Sequence, residues 1–308
     1  MAIQIIGMPL GCGAGVPGAE YGPGKLRELG LEQAIRWMGF EIYDTGDIET
    51  SENGRIKACA FDNRLKHIDV VADANTRLAY RVYESISGGN FPLILGGDHS
   101  LGLGSIAGLS KQIKRLGVIW IDAHGDLNTE STTPSGNIHG MSLAASMGLG
   151  AERLVNLFDH RKKIEDKNIV LIGTRALDDG EINLLNNSKI KTYNMDVIRK
   201  IGIKSVAKRA LSYLRGRGDG IHVSFDIDFL DAELVPGTGT PVSGGGSIEE
   251  AKILLGAIAR SGMMVSMDFA ELDPLIDKGD ATANVCVDLL SHVFACIKTI
   301  SKGAAMSG

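Results

Sequence analysis

The sequence predicts an α/β domain built on a mostly parallel sheet. Short apolar runs recur along all 308 residues and alternate with stretches of helical periodicity, the pattern of repeated βαβ units. Glycines, 40 in all, cluster at residues 7–24, 96–104, 136–150 and 237–246, mostly after the apolar runs, where the chain must turn or approach a ligand closely. With 44% hydrophobic and 22% charged residues the chain is apolar enough to bury a sizeable core.

Taken in order, the strand-like runs are residues 3–8, 40–44, 91–95, 118–122, 168–173, 191–193, 221–226 and 264–269. A helix is expected to start near Pro23, since proline suits the first helical turn. Between residues 61 and 86, Phe61, Leu65, Ile68, Val71, Leu78 and Val82 keep spacings of three, four or seven, which lays them along one helical face. Similar stripes run through 204–214, 248–259 and 283–300. Without a repeat or a proline-rich linker to divide it, the chain reads as one domain over residues 1–308.

Charge and cysteine content narrow the function classes. Lys and Arg number 32 against 37 Asp and Glu, a net charge of -5, which argues against a phosphate-binding surface for nucleic acid. Cys12, Cys59, Cys286 and Cys296 include no C-x-x-C pair and read as buried or free thiols. No basic residue precedes Lys25, which argues against a secretory signal, and no apolar run is expected to reach the roughly 20 residues of a membrane span. The cytoplasm is the expected address.

Chemistry should collect beyond the carboxyl ends of the strands, where open α/β sheets carry their sites. Gly13-x-Gly15-x-x-Gly18 superficially matches a dinucleotide fingerprint and would make the chain an oxidoreductase. Pro17 and Pro23 interrupt the segment and Gly13 lies well past the strand, so a loop is the better reading. More informative is Gly96-Gly97-Asp98-His99-Ser100, which follows the third run. Asp122-Ala123-His124-Gly125-Asp126-Leu127-Asn128 follows the fourth and offers three metal-ligand groups at alternate positions, which an extended backbone would project to one side. Ser224-Phe225-Asp226-Ile227-Asp228 ends the seventh with two carboxylates that repel each other unless a cation neutralises them. Ser135-Gly136-Asn137-Ile138-His139-Gly140 and Glu271 are weak signals alone.

Together His99, Asp122, His124, Asp126, Asp226 and Asp228 supply two imidazoles and four carboxylates, enough for two divalent ions sharing bridging carboxylates. Mostly oxygen donors with no nearby thiolate favour Mn²⁺ over a structural zinc site, leaving Co²⁺, Ni²⁺ and Zn²⁺ open by ligand type.

These four motifs, in this order and spacing, resemble those of the ureohydrolases, and among them the arginases, over essentially the whole chain. The resemblance implies a three-layer α/β/α sandwich with a parallel sheet of about eight strands and a binuclear manganese cluster at one sheet edge. It implies one ion on His99, Asp122, Asp126 and Asp226 and a second on Asp122, His124, Asp226 and Asp228, with a metal-bridging hydroxide as the nucleophile. Asp126 would also orient that hydroxide, His139 would shuttle protons and Glu271 would pair with the substrate's guanidinium. Asn128, Thr133, Ser135 and Asn137 would surround an α-carboxylate, Asp178 would accept from the α-ammonium, Glu181 would assist through water, and Thr240 would also contact substrate.

The implied reaction is L-arginine plus water to L-ornithine plus urea, by a homo-oligomer, trimer or hexamer. Agmatinase, or another guanidino amidinohydrolase, shares the metal chemistry, but agmatinases usually lack the equivalent of Asn128 and the 135–137 segment. A catalytically silent metal-stabilised scaffold is the remaining alternative. Val16, Ala176, Phe229 and Asp273 depart from the family pattern, which bears on substrate affinity and loop geometry.

Overall fold

The computed structural model describes residues 2–50 and 64–306. Its strands are β1 (Ile3–Met8), β2 (Ile42–Asp47), β3 (Phe91–Gly96), β4 (Leu116–Ile121), β5 (Ile169–Ile172), β6 (Lys191–Tyr193), β7 (Gly220–Asp226) and β8 (Met264–Ala270). They form one sheet in the order β2-β1-β3-β8-β7-β4-β5-β6, every neighbouring pair parallel. The helices are α1 (Gly22–Glu28), α2 (Leu31–Trp37), α3 (Ile68–Ser87), α4 (Gly102–Gln112), α5 (Ser142–Ser146), α6 (Glu152–Val155), α7 (Asp179–Asn186), α8 (Met195–Ile201), α9 (Ile203–Leu214), α10 (Ile248–Ala259) and α11 (Ala281–Met306).

Alternation along the strands makes the three layers. Ile119 and Ile121 of β4 join one apolar cluster with Leu26 of α1, Ile35 of α2, Val206 of α9, Leu254 of α10 and Leu289 of α11. Val118 and Trp120 of the same strand face the other way, onto Leu78 of α3, Ile106 of α4 and Leu143 of α5. A strand buried on both faces reads as a continuous apolar run, which is why these strands were visible in the sequence.

Where expectation and structure differ, the causes are local. β2 runs on to Asp47 because it is an edge strand, so Asp44 and Asp47 can face outward and pair with Arg27 at 2.6 and 2.5 Å. Phe40, expected inside that strand, instead precedes it and packs on Phe294. The third helix begins at Ile68, because His67 takes a left-handed φ of 56° that ends helical geometry on its N-terminal side. Leu65 still packs into the core, while Phe61 and Cys59 lie outside the described residues. α10 starts where Ser247 and Glu250 form a reciprocal capping box.

Over Ala281–Thr299, α11 is long and apolar enough to cross a membrane, with mean hydropathy 1.2. Here it serves the core: Cys286, Leu289, Leu290, Val293 and Phe294 are buried, and Asp288 pairs with Lys252 at 2.6 Å.

Candidate metal centre and active site

The candidate site residues come from β3, β8, β7 and β4, four strands adjacent at the middle of the sheet, and lie at or beyond their carboxyl ends. After β3 the chain turns at Gly97, where a Cβ would sit 1.9 Å from the Leu10 carbonyl oxygen, so only glycine fits. Asp98 then caps the short turn His99–Leu101 by accepting from the Ser100 N–H at 3.0 Å. Beyond β4, residues 122–126 bend rather than run extended, and Asp126 adopts a left-handed φ of 52°. Asp226 ends β7 and accepts from the Asp228 N–H at 2.8 Å, which starts the turn holding Asp228. Glu271, one residue past β8, also has positive φ, 66°. Strain of this kind costs on the order of 1–3 kcal/mol per residue and persists where surrounding structure enforces it.

All six predicted ligands converge. His99 Nδ1 lies 3.0 Å from Asp122 Oδ2 and 3.2 Å from both Asp126 Oδ2 and Asp226 Oδ2. His124 Nδ1 lies 2.9 Å from Asp228 Oδ2 and 3.5 Å from Asp122 Oδ1. Asp122 thus turns one oxygen to each histidine and belongs to both donor groups, His99–Asp122–Asp126 and Asp122–His124–Asp228. Asp226 turns Oδ2 to the first group and spends Oδ1 on the Asp228 N–H.

The donor set fits divalent metal. His99 Nδ1 and Asp126 Oδ2 are buried without a hydrogen-bond partner, which in a close-packed interior calls for another atom between them. Neighbouring ligand atoms on an octahedral ion with bonds near 2.1 Å lie about 3 Å apart, as these do. Without a cation the carboxylates are electrostatically frustrated. Burial and then the charge of Asp122 push Asp126 up to about 6, and burial with Asp228 and Asp122 pushes Asp226 well up. Burial would raise Asp122 too, but the hydrogen bonds of His124 and His99 outweigh it and hold it well below the carboxylate range.

A cavity of about 110 Å³ opens onto this cluster. It is lined by His124, Asp126 and Asp226 of the ligand set together with Asn128, Thr133, Ser135, Asn137, His139, Asp178, Glu181 and Thr240. Asn128 donates to Asp178 Oδ2 at 2.7 Å, and Thr240 donates to Asp228 Oδ2 at 3.3 Å. Glu181 accepts from the Asp178 and Leu127 N–H groups at 2.8 and 3.1 Å, and burial lifts its carboxyl to about 7.

Glu271 sits behind this wall, 2% exposed, its Oε1 accepting from the His99 N–H at 2.7 Å and meeting His139 Nδ1 at 2.9 Å. Burial works against a charge on His139, but Glu271 outweighs it and the imidazole rises to about 9. The Gly13–Gly18 segment is the loop expected of it: the Gly13 N–H donates to Asp98 at 2.8 Å, and the His139 N–H donates to the Gly13 carbonyl at 3.1 Å.

Some contributors were not singled out from the sequence. His99 Nε2 meets Ser224 Oγ at 2.8 Å, and its ring stacks on Trp120 at 4.1 Å. Trp120 Nε1 donates to Asp122 Oδ2 at 3.0 Å. Both Ser224 and Trp120 stand two residues before a ligand on a strand, so the period of two was the signal that could have found them. Lys66, which donates to Asn137 Oδ1 at 3.0 Å, gave no such signal, because it sits in a turn outside every motif.

A parallel α/β sheet with a buried histidine–aspartate donor set at its carboxyl ends defines a metal-dependent hydrolase. The arginase family model matches residues 1–296, and the chain belongs to that family. It is 43% identical to the arginase of Brevibacillus brevis over 292 residues, 95% of this chain and 97% of that one. Its structure resembles the arginase of Bacillus caldovelox, with TM-score 0.92, 41% identity and coverage of 95% and 98%. It also resembles the Entamoeba histolytica arginase solved with L-ornithine, with TM-score 0.87, 31% identity and coverage of 96% and 99%.

Proposed function

We propose that the chain hydrolyses L-arginine to L-ornithine and urea, with two Mn²⁺ ions per chain. His99, Asp122, Asp126 and Asp226 would hold one ion, and Asp122, His124, Asp226 and Asp228 the other. The observation that carries this reading is the cavity itself, because every residue assigned to the amino-acid end of the substrate lines the same space as His124, Asp126 and Asp226.

When bound, a pair of divalent ions supplies Lewis acidity that lowers the pKa of water towards neutrality and offsets charge developing at the reacting carbon. The side chains do the rest. Asp126, whose Oδ2 would face the ion, would use its other carboxylate oxygen to accept a hydrogen bond from the attacking water and aim it at the guanidinium carbon. Water adds to that carbon, its bond to the δ-nitrogen breaks, and the departing amine gains two protons, one by way of His139, which water reprotonates as it becomes the urea oxygen. His139, raised to about 9 by Glu271, carries a proton at neutral pH and delivers it. Glu271, which the resemblance pairs with the guanidinium, has Oε1 engaged by the His99 N–H and His139 and lies outside the cavity lining, so its role here is to hold His139 in the charged form. Asp178 accepts from the α-ammonium, assisted by Glu181 through water, while Asn128, Thr133, Ser135 and Asn137 offer neutral donors to the α-carboxylate and Thr240 lines the cavity with its hydroxyl on Asp228.

The relative solved with L-ornithine supports the amino-acid reading over agmatine. Residues 1–308 act as one domain on this reading, and family resemblance supports a homo-oligomer, trimer or hexamer, in the cytoplasm. The test is urea release from L-arginine, agmatine and 4-guanidinobutyrate by the manganese-loaded chain. Turnover of arginine is expected; preference for agmatine overturns the substrate assignment.

A further inference from the structure

We propose that Lys66 is a specificity-determining residue, which holds Asn137 with its amide N–H groups presented to a substrate carboxylate. The inference rests on the arginine reading and extends it to a residue outside the family motifs.

Lys66 Nζ lies 3.0 Å from Asn137 Oδ1. An ammonium has donors and no acceptor, so it can meet only the oxygen of the amide, and the contact settles which way the amide faces. The nitrogen then lies on the other side, against the bare Cα of Gly15, where a Cβ would come within 2.8 Å of Nδ2. Asn137 lines the cavity, and its N–H groups lie on the side of the amide away from Lys66.

The backbone that carries the lysine is anchored, although the side chain itself is exposed. Leu65 is buried in the core at 4% exposure, and the Lys66 N–H donates to the Gly136 carbonyl at 2.9 Å, next to the residue that its side chain orients. Ordering of the 64–67 turn is therefore already met by folding.

Charge gives the arrangement its consequence. Among the described residues lining the cavity are Asp126, Asp178, Glu181 and Asp226, and no lysine or arginine. With Asp126 and Asp226 spent on metal, Asp178 and Glu181 remain as acidic groups near an entering α-carboxylate, which is met by the neutral donors Thr133, Ser135 and Asn137. A cation on the far side of the Asn137 amide polarises it, strengthens its N–H donors and offsets part of the repulsion from those two acidic groups. A ligand without a carboxylate gains nothing from either effect.

The test uses the full-length metal-loaded enzyme and compares Lys66→Met and Lys66→Arg with the parent. For Lys66→Met, KM for L-arginine should rise about tenfold with kcat within about twofold, the signature of lost ground-state binding. Inhibition by L-ornithine should weaken in parallel, while inhibition by L-argininamide, whose carboxylate is replaced by a neutral amide, should move less than about twofold; Lys66→Arg should restore ornithine affinity. Unchanged arginine and ornithine constants, or an equal weakening of argininamide, overturn the proposal. Failure of the parent enzyme to turn over arginine is a separate result, visible before any variant is made, and overturns the substrate reading beneath it.

Discussion

His99 Nε2 meets Ser224 Oγ at 2.8 Å inside the sheet, which turns the opposite nitrogen, Nδ1, into the ring of carboxylates. For Nδ1 to present a lone pair to a metal, the ring proton must sit on Nε2, and the serine hydroxyl accepts it there. Ser224→Ala should therefore weaken manganese affinity by about 10–100-fold, the usual effect of losing a partner behind a metal-binding histidine. Calorimetric titration of the metal-free protein checks this, and an unchanged affinity would show that packing on Trp120 alone suffices.

His124 is the only imidazole in the Asp122–His124–Asp228 donor group. Its replacement by alanine should leave one tightly held ion per chain and remove most urea release, since activating water is then left to a single Lewis acid. Elemental analysis beside the kinetic assay measures both; two bound ions with near-parental turnover would contradict it.

Asp126 carries two costs in the metal-free chain, a left-handed φ of 52° and a carboxyl raised to about 6 by burial and Asp122. A folded pKa above the unfolded value of about 3.9 means that stability falls as pH rises from about 4 through 6, up to roughly 3 kcal/mol. Asparagine tolerates left-handed backbone and has no charge. Asp126→Asn should raise the Tm of chelator-treated protein at pH 7 by several degrees, more than at pH 4, while lowering manganese affinity. A Tm equal to or below that of the parent at pH 7 would contradict this.

In the His139–Glu271 pair the histidine follows the same direction at higher pH, and the glutamate the reverse. His139 is raised to about 9, so its contribution is fully present below about 6.5 and is lost as pH rises through about 9; Glu271 is lowered, so its contribution is lost as pH falls into the carboxylate range. Denaturation of metal-free protein at pH 7 and 10 should show a loss on the order of 1–3 kcal/mol that His139→Ala removes. The same variant should stay folded, keep its manganese and turn over arginine slowly; loss of metal instead would reassign His139 as a structural support of the cluster.

How far these features were legible depended on burial and local order. Strands buried on both faces announced themselves, and the six ligands could be read because each follows such a strand within a few residues. Edge strand β2 was misjudged by two residues at its start and three at its end, since Asp44, Thr45, Gly46 and Asp47 face solvent and carry no apolar signal. The start of α3 was misjudged because Leu65 fits the helical stripe yet packs into the core from a turn, which His67 separates from the helix. The bend at Asp126 was invisible because alternate spacing looks the same whether the backbone is extended or turned. Lys66 acts across 71 residues of sequence, and no local pattern encodes such a contact.

The most direct measurement is a manganese titration of chelator-treated protein, following urea release from L-arginine against metal bound per chain. Activity should appear with the second equivalent, reach its plateau at two and vanish on renewed chelation. A plateau at one equivalent, or urea release that persists without metal, would contradict a two-ion site built from these six side chains.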